Sequence, residues 1–191
     1  MIRPALTLAA LAALAGPALG QGAAPPAATP SAQAGQTPQD PFQAPIVAND
    51  GRTIGRLTLR GGETAVVARI EIGPGGLTPG WHGLHFHSVG DCSDTAKFQN
   101  AKDHVNHDEA KHGLLNPEGP DEGDLPNVFA ASDGSVNAEV STILIGLRAQ
   151  DQDPGLLDAD GSALVIHARE DDHMSQPIGG SGDRVACAVI K

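Results

Sequence analysis

Aromatic side chains are almost missing from these 191 residues: four Phe, one Trp and no Tyr. A core must therefore be assembled mainly from Val, Ile, Leu and Ala. Positive charge is scarce too, with 12 Lys and Arg against 23 Asp and Glu and a net charge of −11. Such a chain repels phosphate backbones, which excludes a general nucleic-acid binder. No apolar run reaches the roughly 18 residues that a membrane span needs. Two Cys are too few for a small disulfide scaffold or a Cys-rich zinc module. Hydrophobic residues at 40% and charged residues at 18% argue against wholesale disorder. What the chain does have is eight His, and their placement decides the functional reading.

The N-terminus reads as an export signal. Arg3 supplies a positive start, Leu6 to Gly16 a short apolar stretch, and Pro17 to Gly20 small residues for cleavage near Gly20. Residues 21–44, rich in Ala, Pro and Gln, hold almost no large apolar side chain. They read as a disordered spacer, because burial there cannot offset the entropy of ordering. Residues 45–191 form the expected domain. Val66, Ala68, Ile70 and Ile72 alternate with polar or outward positions, as do Leu57 and Leu59. Val136 to Leu147 is long enough for one strand, and Ala163–His167 and Val185–Ile190 read as short buried strands. Gly, Pro and Asp-Gly pairs punctuate these runs, so the pattern predicts an all-β sandwich or barrel. Two stretches, 92–126 and 168–183, lack strand character, and loops of that length usually carry function.

His85-Phe86-His87 is the first chemical signal, since alternate residues of a strand face one side. Imidazole suits copper or zinc, although a lone His-x-His is as readily a surface pair. The 92–126 loop adds His104, His107 and His112, then Asp121, Glu122 and Asp124, the ligand types of a zinc site. A solvated acidic loop has the same composition. His167 ends an apolar run, where a single histidine is more often a satisfied core residue. Cys92 and Cys187 are the only cysteines of a chain read as exported, which favours a disulfide over two free thiols. It would close a loop of about 95 residues, worth roughly 4–5 kcal/mol in the chain-entropy model.

Taken together, these residues resemble a copper/zinc superoxide dismutase of the exported bacterial type. Gly83 to Cys92 (GLHFHSVGDC) resembles that family's G-[FL]-H-x-H-x-x-G-x-C signature. Gly179 to Cys187 (GGSGDRVAC) resembles its G-x-R-x-A-C signature, and Gly123 to Asn127 (GDLPN) the segment after its zinc loop. The resemblance implies a flattened Greek-key β-barrel of eight strands, immunoglobulin-like in its sandwich character, with two long functional loops. It implies copper ligands at His85, His87, His104 and His167. It implies zinc ligands at His104, His112 and Asp124, with His104 bridging the metals. It also makes Asp171 the carboxylate linking His85 to His112, Arg184 the guide for the anion, and His104 the proton carrier. The activity implied is disproportionation of superoxide to dioxygen and hydrogen peroxide.

One position departs from the pattern. The third zinc histidine is expected nine residues after His112, where this chain has Asp121. Carboxylates ligate zinc, so the set becomes His104, His112, Asp121 and Asp124, with one more negative charge and weaker zinc binding expected. Glu122 is a competitor for the same place. His107, where the family has proline, reads as a solvent-facing loop residue, with replacement ligation as the alternative. His82 resembles a structural histidine, and His173 receives no role. The alternatives are a copper-only enzyme with a degraded zinc site and a non-catalytic copper-binding protein on the same fold. A zinc hydrolase is disfavoured by the lack of an H-E-x-x-H motif. Export predicts a periplasmic or secreted protein, and the sequence leaves monomer or homodimer open.

Overall fold

Alternation of apolar and polar residues becomes strand wherever one face can be buried. The structure, a computed structural model, describes residues 40–149 and 154–191. The predicted export signal, 1–20, and most of the predicted spacer lie outside the described residues. Nine strands follow in order: β1 Phe42–Ala48, β2 Thr53–Gly61, β3 Val66–Ile72, β4 Gly80–His82, β5 Leu84–His87, β6 Val128–Ala130, β7 Val136–Thr142, β8 Ser162–His167 and β9 Arg184–Ile190. One 3-10 turn, Gln99–Ala101, interrupts the first long loop. No α-helix occurs among the described residues.

Seven strands form one curled antiparallel sheet in the order β5-β8-β9-β1-β2-β3-β7, and β4 pairs with β6. Three neighbouring pairs, β1 with β9, β3 with β7 and β5 with β8, are distant in sequence, which is the Greek-key signature. The expected count of eight becomes nine because one extended run is divided at Gly83. Its backbone N–H donates to the Arg169 carbonyl at 2.8 Å and its carbonyl accepts from His167 N–H at 2.9 Å. A Cβ at Gly83 would approach the Ser181 Cβ to 2.7 Å, so only glycine lets the second loop lie this close.

Two boundaries differ from expectation. β1 begins at Phe42, inside the segment read as spacer, because Ala44 is buried and paired with Leu57. β7 stops at Thr142 rather than Leu147. The Thr142 hydroxyl accepts the Leu144 N–H at 3.0 Å, turning the chain so that Ile145 and Leu147 enter the core while Ile143 faces solvent.

The interior is filled by aliphatic side chains: Ile46, Leu57, Leu59, Ile70, Leu84, Leu164, Ile166 and Ile190 are all essentially inaccessible. Phe86 is the fully buried aromatic ring among them, and Phe42 packs against the cluster half-buried. β8 is buried along its whole length. Leu164 and Ile166 face the main core, while Ala163 and Val165 face a second cluster with Phe98, Ala101 and Cys187. That is why the run reads as continuously apolar instead of alternating. Phe98 and the Cys92–Cys187 disulfide therefore pin the first long loop onto the outer face of β8 and β9.

Replacing both cysteines by serine is expected to lower stability by about 4–5 kcal/mol, the loop-closure value for a crosslink of this span. Denaturant unfolding of the metal-free chain, where no bound ion masks the effect, measures it. A loss below about 1 kcal/mol would show that Phe98 and its neighbours hold the loop unaided.

Candidate metal centre

The free edge of β5 organises the site. Phe86 N–H donates to the Gly123 carbonyl at 2.8 Å, and the Phe86 carbonyl accepts from Val105 N–H at 2.9 Å. His87 thereby stands opposite His104, and His85 opposite Asp124. The two halves of the first long loop are laced to the strand that carries His-x-His. On the far side β8 pairs with β5 and delivers His167. A register irregularity between Ile166 and His167 sets His167 opposite Arg184, as bulges beside functional sites commonly re-aim side chains.

Among the described residues, five histidine ring nitrogens are buried with no hydrogen-bond partner: His173 Nδ1 and, among the sequence-predicted ligands, His85 Nδ1 and the Nε2 atoms of His87, His104 and His167. Each ring is held by its other nitrogen. His85 Nε2 donates to Asp171 Oδ2 at 2.7 Å, His87 Nδ1 to the Lys102 carbonyl at 2.8 Å, and His167 Nδ1 to the Gly182 carbonyl at 3.0 Å. His104 Nδ1 lies 2.9 Å from Asp121 Oδ2 and 3.7 Å from Asp124 Oδ1. Leaving four polar atoms unpaired in a protein interior is costly, and a shared cation is what such a set of donors fits. The donor atoms of His85, His87 and His167 lie within 4.8 Å of one another, as do those of His104, His112, Asp121 and Asp124.

The two donor sets differ in charge. Burial pushes His85 down to about 4 and His167 down to about 3, and burial also holds His87 well below the usual histidine range. All three are neutral imidazoles at neutral pH, the form that binds a metal. His112 goes the other way. Burial opposes its charge, but hydrogen bonds to Asp124 and Asp171 raise it to about 10. Asp171, whose Oδ1 accepts from His112 Nε2 at 3.2 Å, is held below the ordinary carboxylate range by His112 and His85 despite burial.

Asp171 is itself clamped. Its backbone N–H donates to Asn127 Oδ1 at 2.9 Å, and its carbonyl accepts from Asn127 Nδ2 at 2.8 Å. Gly179 lies so close that a Cβ there would overlap Asp171 Oδ1, and its φ of 59° favours glycine as well. Arg184 is half-buried at the mouth. Its Nη1 donates to the Phe98 carbonyl and its Nη2 to the Lys102 carbonyl, both at 2.7 Å. Phe98 and Lys102 both have positive φ, 52° and 63°, which turns their carbonyls toward the arginine. A cleft of about 850 Å³ opens here, with His104, His167, Arg184 and Lys97 on its wall and Asp103 and Asp183 beside them.

The structure thus gathers His85, His87, His104, His112, His167, Asp121, Asp124 and Asp171 in one place, with Arg184 at its entrance. His107 lies outside the cluster and is turned to Glu122, with Nδ1 2.7 Å from Oε2. Both ring nitrogens of His82 face backbone carbonyls, of His167 at 2.6 Å and Thr78 at 2.8 Å. His173 Nε2 accepts from Asn127 Nδ2 at 3.1 Å. Asn127 and the carbonyls of Phe98, Lys102 and Gly182 were not foreseen. Carbonyl contacts carry no residue-type signal, and Asn127 stands in a recognised motif without a charge to mark it.

Residues 53–190 match the family model of copper/zinc superoxide dismutase. The chain belongs to that family. A copper/zinc superoxide dismutase of Caulobacter vibrioides is 51% identical over 150 residues, covering 78% of this chain and 84% of that protein. An Aquifex aeolicus superoxide dismutase is 38% identical over 78% of this chain and 85% of its own length. Among solved structures, a SOD-like protein from Bacillus subtilis superposes with a TM-score of 0.72 at 29% identity, over 78% of this chain and 97% of that one. The Brucella abortus enzyme gives a TM-score of 0.62 at 25% identity, over 80% of this chain and all of that one. Membership brings copper and zinc as cofactors, superoxide as substrate and an oxidoreductase activity. The buried donor clusters are the feature of this chain that answers to the two metals.

Asp171→Asn keeps the shape of the side chain but removes the charge facing His85 and His112. Metal binding is expected to weaken about 10- to 100-fold, the usual effect of losing such an orienting partner. Chelator competition measures it, and an unchanged affinity would reduce Asp171 to a packing residue.

Proposed function

We propose that His85 Nδ1 and the Nε2 atoms of His87, His104 and His167 hold copper. His104 Nδ1, His112 Nδ1, Asp121 Oδ2 and Asp124 Oδ1 then hold zinc, with His104 bridging the metals. The single observation that carries this reading is the convergence of four buried, partnerless ring nitrogens. Copper bound there would supply one-electron exchange, through which two superoxide anions and two protons become dioxygen and hydrogen peroxide. Zinc has no redox chemistry and supports the bridge and the loop.

The chain's own residues do the rest. Superoxide is an anion approaching a protein of net charge −11, so local positive charge must overcome the average field. Arg184 lies on the cleft wall beside His167 and His104, with its guanidinium fixed by two carbonyls. It draws the anion in and orients it. His104 also faces the cleft, and its Nε2 is spoken for by no protein group. Released from the metal, that nitrogen can hold a proton and pass it to the reduced substrate, which makes His104 the proton carrier. Asp171 positions His85 and His112, and Asn127 positions Asp171.

The disulfide and the bacterial relatives fit an exported protein. The finer reading is a periplasmic or secreted enzyme, with residues 1–20 removed as a signal and the segment up to β1 serving as spacer. A homodimer is the assembly favoured. Trp81 and Phe129 form an exposed edge-on pair at 5.1 Å on β4 and β6, 50% and 53% accessible, where a second copy would remove them from water.

The purified chain should contain one copper and one zinc and consume superoxide. Arg184→Gln should keep both metals and lose about tenfold or more of its rate, and the residual rate should respond less steeply to added salt. Copper bound without activity would overturn the catalytic reading, and an unchanged salt slope would remove Arg184 from steering.

A further inference from the structure

His173 has no role legible in the sequence, yet its backbone and its ring both face Asp171. The second loop turns at this residue with a φ of 59°, a left-handed conformation that most side chains avoid. The turn aims the His173 N–H at Asp171 Oδ1, to which it donates at 2.7 Å. The His173 carbonyl accepts from Leu115 N–H at 3.0 Å, which fixes the turn to the first long loop. Asn127 sets the ring. Its Oδ1 accepts the Asp171 N–H, so its Nδ2 is the donor that meets both the Asp171 carbonyl and, at 3.1 Å, His173 Nε2. A ring nitrogen that accepts carries no hydrogen, so the ring hydrogen of His173 sits on Nδ1. That atom is buried without a hydrogen-bond partner and lies 3.6 Å from Asp171 Oδ2. Asp171 Oδ2 is also the oxygen that accepts from His85 Nε2.

We propose that His173 is a positioning residue whose Nδ1–H tempers the hold of Asp171 on His85. This rests on the ligand reading given under Proposed function. A carboxylate that accepts from a ligand imidazole makes the metal-facing nitrogen of that ring more basic. A second N–H facing the same oxygen draws on the same negative charge and weakens the effect. At 3.6 Å the contact is longer than a hydrogen bond, so its influence is electrostatic, and burial leaves it little screened. A more basic ligand favours divalent over monovalent copper, because the higher charge gains more from it. The His173 ring therefore shifts bound copper toward the monovalent state. Its removal reverses that shift without freeing Asp171, which keeps its bonds to Asn127, to the His173 backbone and to His112.

Two substitutions separate the two nitrogens of the ring. His173→Asn keeps an N–H donor at the δ position, facing Asp171, and gives up the acceptor facing Asn127. His173→Gln keeps an acceptor at the ε position and gives up the donor facing Asp171. The measurement is a redox titration of the copper- and zinc-loaded chains, followed by the absorbance of divalent copper. At a given potential, His173→Gln should raise the ratio of divalent to monovalent copper about threefold, the worth of one weak hydrogen bond, and His173→Asn should stay close to the unmodified chain. No shift in His173→Gln, a shift toward monovalent copper, or equal shifts in both variants would overturn the proposal while leaving the copper site intact. An unmodified chain that binds no copper would instead overturn the ligand reading, and the proposal with it. Should the variants fail to fold, nitrogen NMR of the unmodified, metal-free chain reads the His173 ring directly. Hydrogen on Nδ1 alone is the expected result, and hydrogen on Nε2 would count against the proposal.

Discussion

Everything at this centre depends on imidazole rings that are fixed from behind. A histidine whose metal-facing nitrogen has no protein partner would swing or take a proton unless its other nitrogen were held. Here a carboxylate or a backbone carbonyl holds each one: Asp171 for His85, Lys102 for His87 and Gly182 for His167. Burial then makes the charged forms of all three unfavourable. The protein thus bears the cost of unpaired nitrogens in its interior, and a metal ion removes it. The folded chain is organised around that deficit.

The carbonyls that hold the rings belong to loops, and loops are precise only when something makes them so. Phe98, the one aromatic ring of the outer cluster, sinks between the loop and β8 and β9, and the disulfide ties the same loop to β9. The Lys102 carbonyl accepts from both His87 and Arg184. A ring of the first donor set and the cation on the cleft wall are therefore referenced to one atom. A displacement of the loop would disturb both together. On the other side, Asn127 clamps Asp171, which reaches both His85 and His112. Two donor sets and the arginine on the cleft wall share a small number of fixed points.

Charge is managed by position rather than by sum. The chain is strongly acidic, yet the first donor set consists of neutral rings and the cleft has Arg184 on its wall. The carboxylates at the donor sets are occupied: Asp171 between two histidines, and Asp121 and Asp124 at the second donor set, while Glu122 is turned away to His107. The exposed Asp103 and Asp183 stand on the cleft wall beside Arg184, so the positive charge there is local to the arginine.

Much of this was legible in the chain itself. His-x-His on a strand follows from the two-residue period of β structure, and the alternation of Val66, Ala68, Ile70 and Ile72 follows from a sheet with one face in a core. The spacings among His104, His112 and Asp124, and the pair Cys92 and Cys187, are sequence properties carried into the fold unchanged. Other features had no linear trace. The division of one run at Gly83, the end of β7 at Thr142 and the start of β1 at Phe42 were decided by which backbone groups found partners across the sheet. The aim of Asp121 into the second donor set while Glu122, its neighbour, points outward was decided by the Gly123 and His107 N–H groups. The roles of Phe98, Lys102 and Gly182 are backbone roles, which residue identity does not encode. Sequence alone determined which chemical groups this protein has and roughly how far apart they lie along the chain. Tertiary structure decided which nitrogen of each ring is left free and which carboxylate faces the metal, because both depend on hydrogen-bond partners that come together only when distant segments pack.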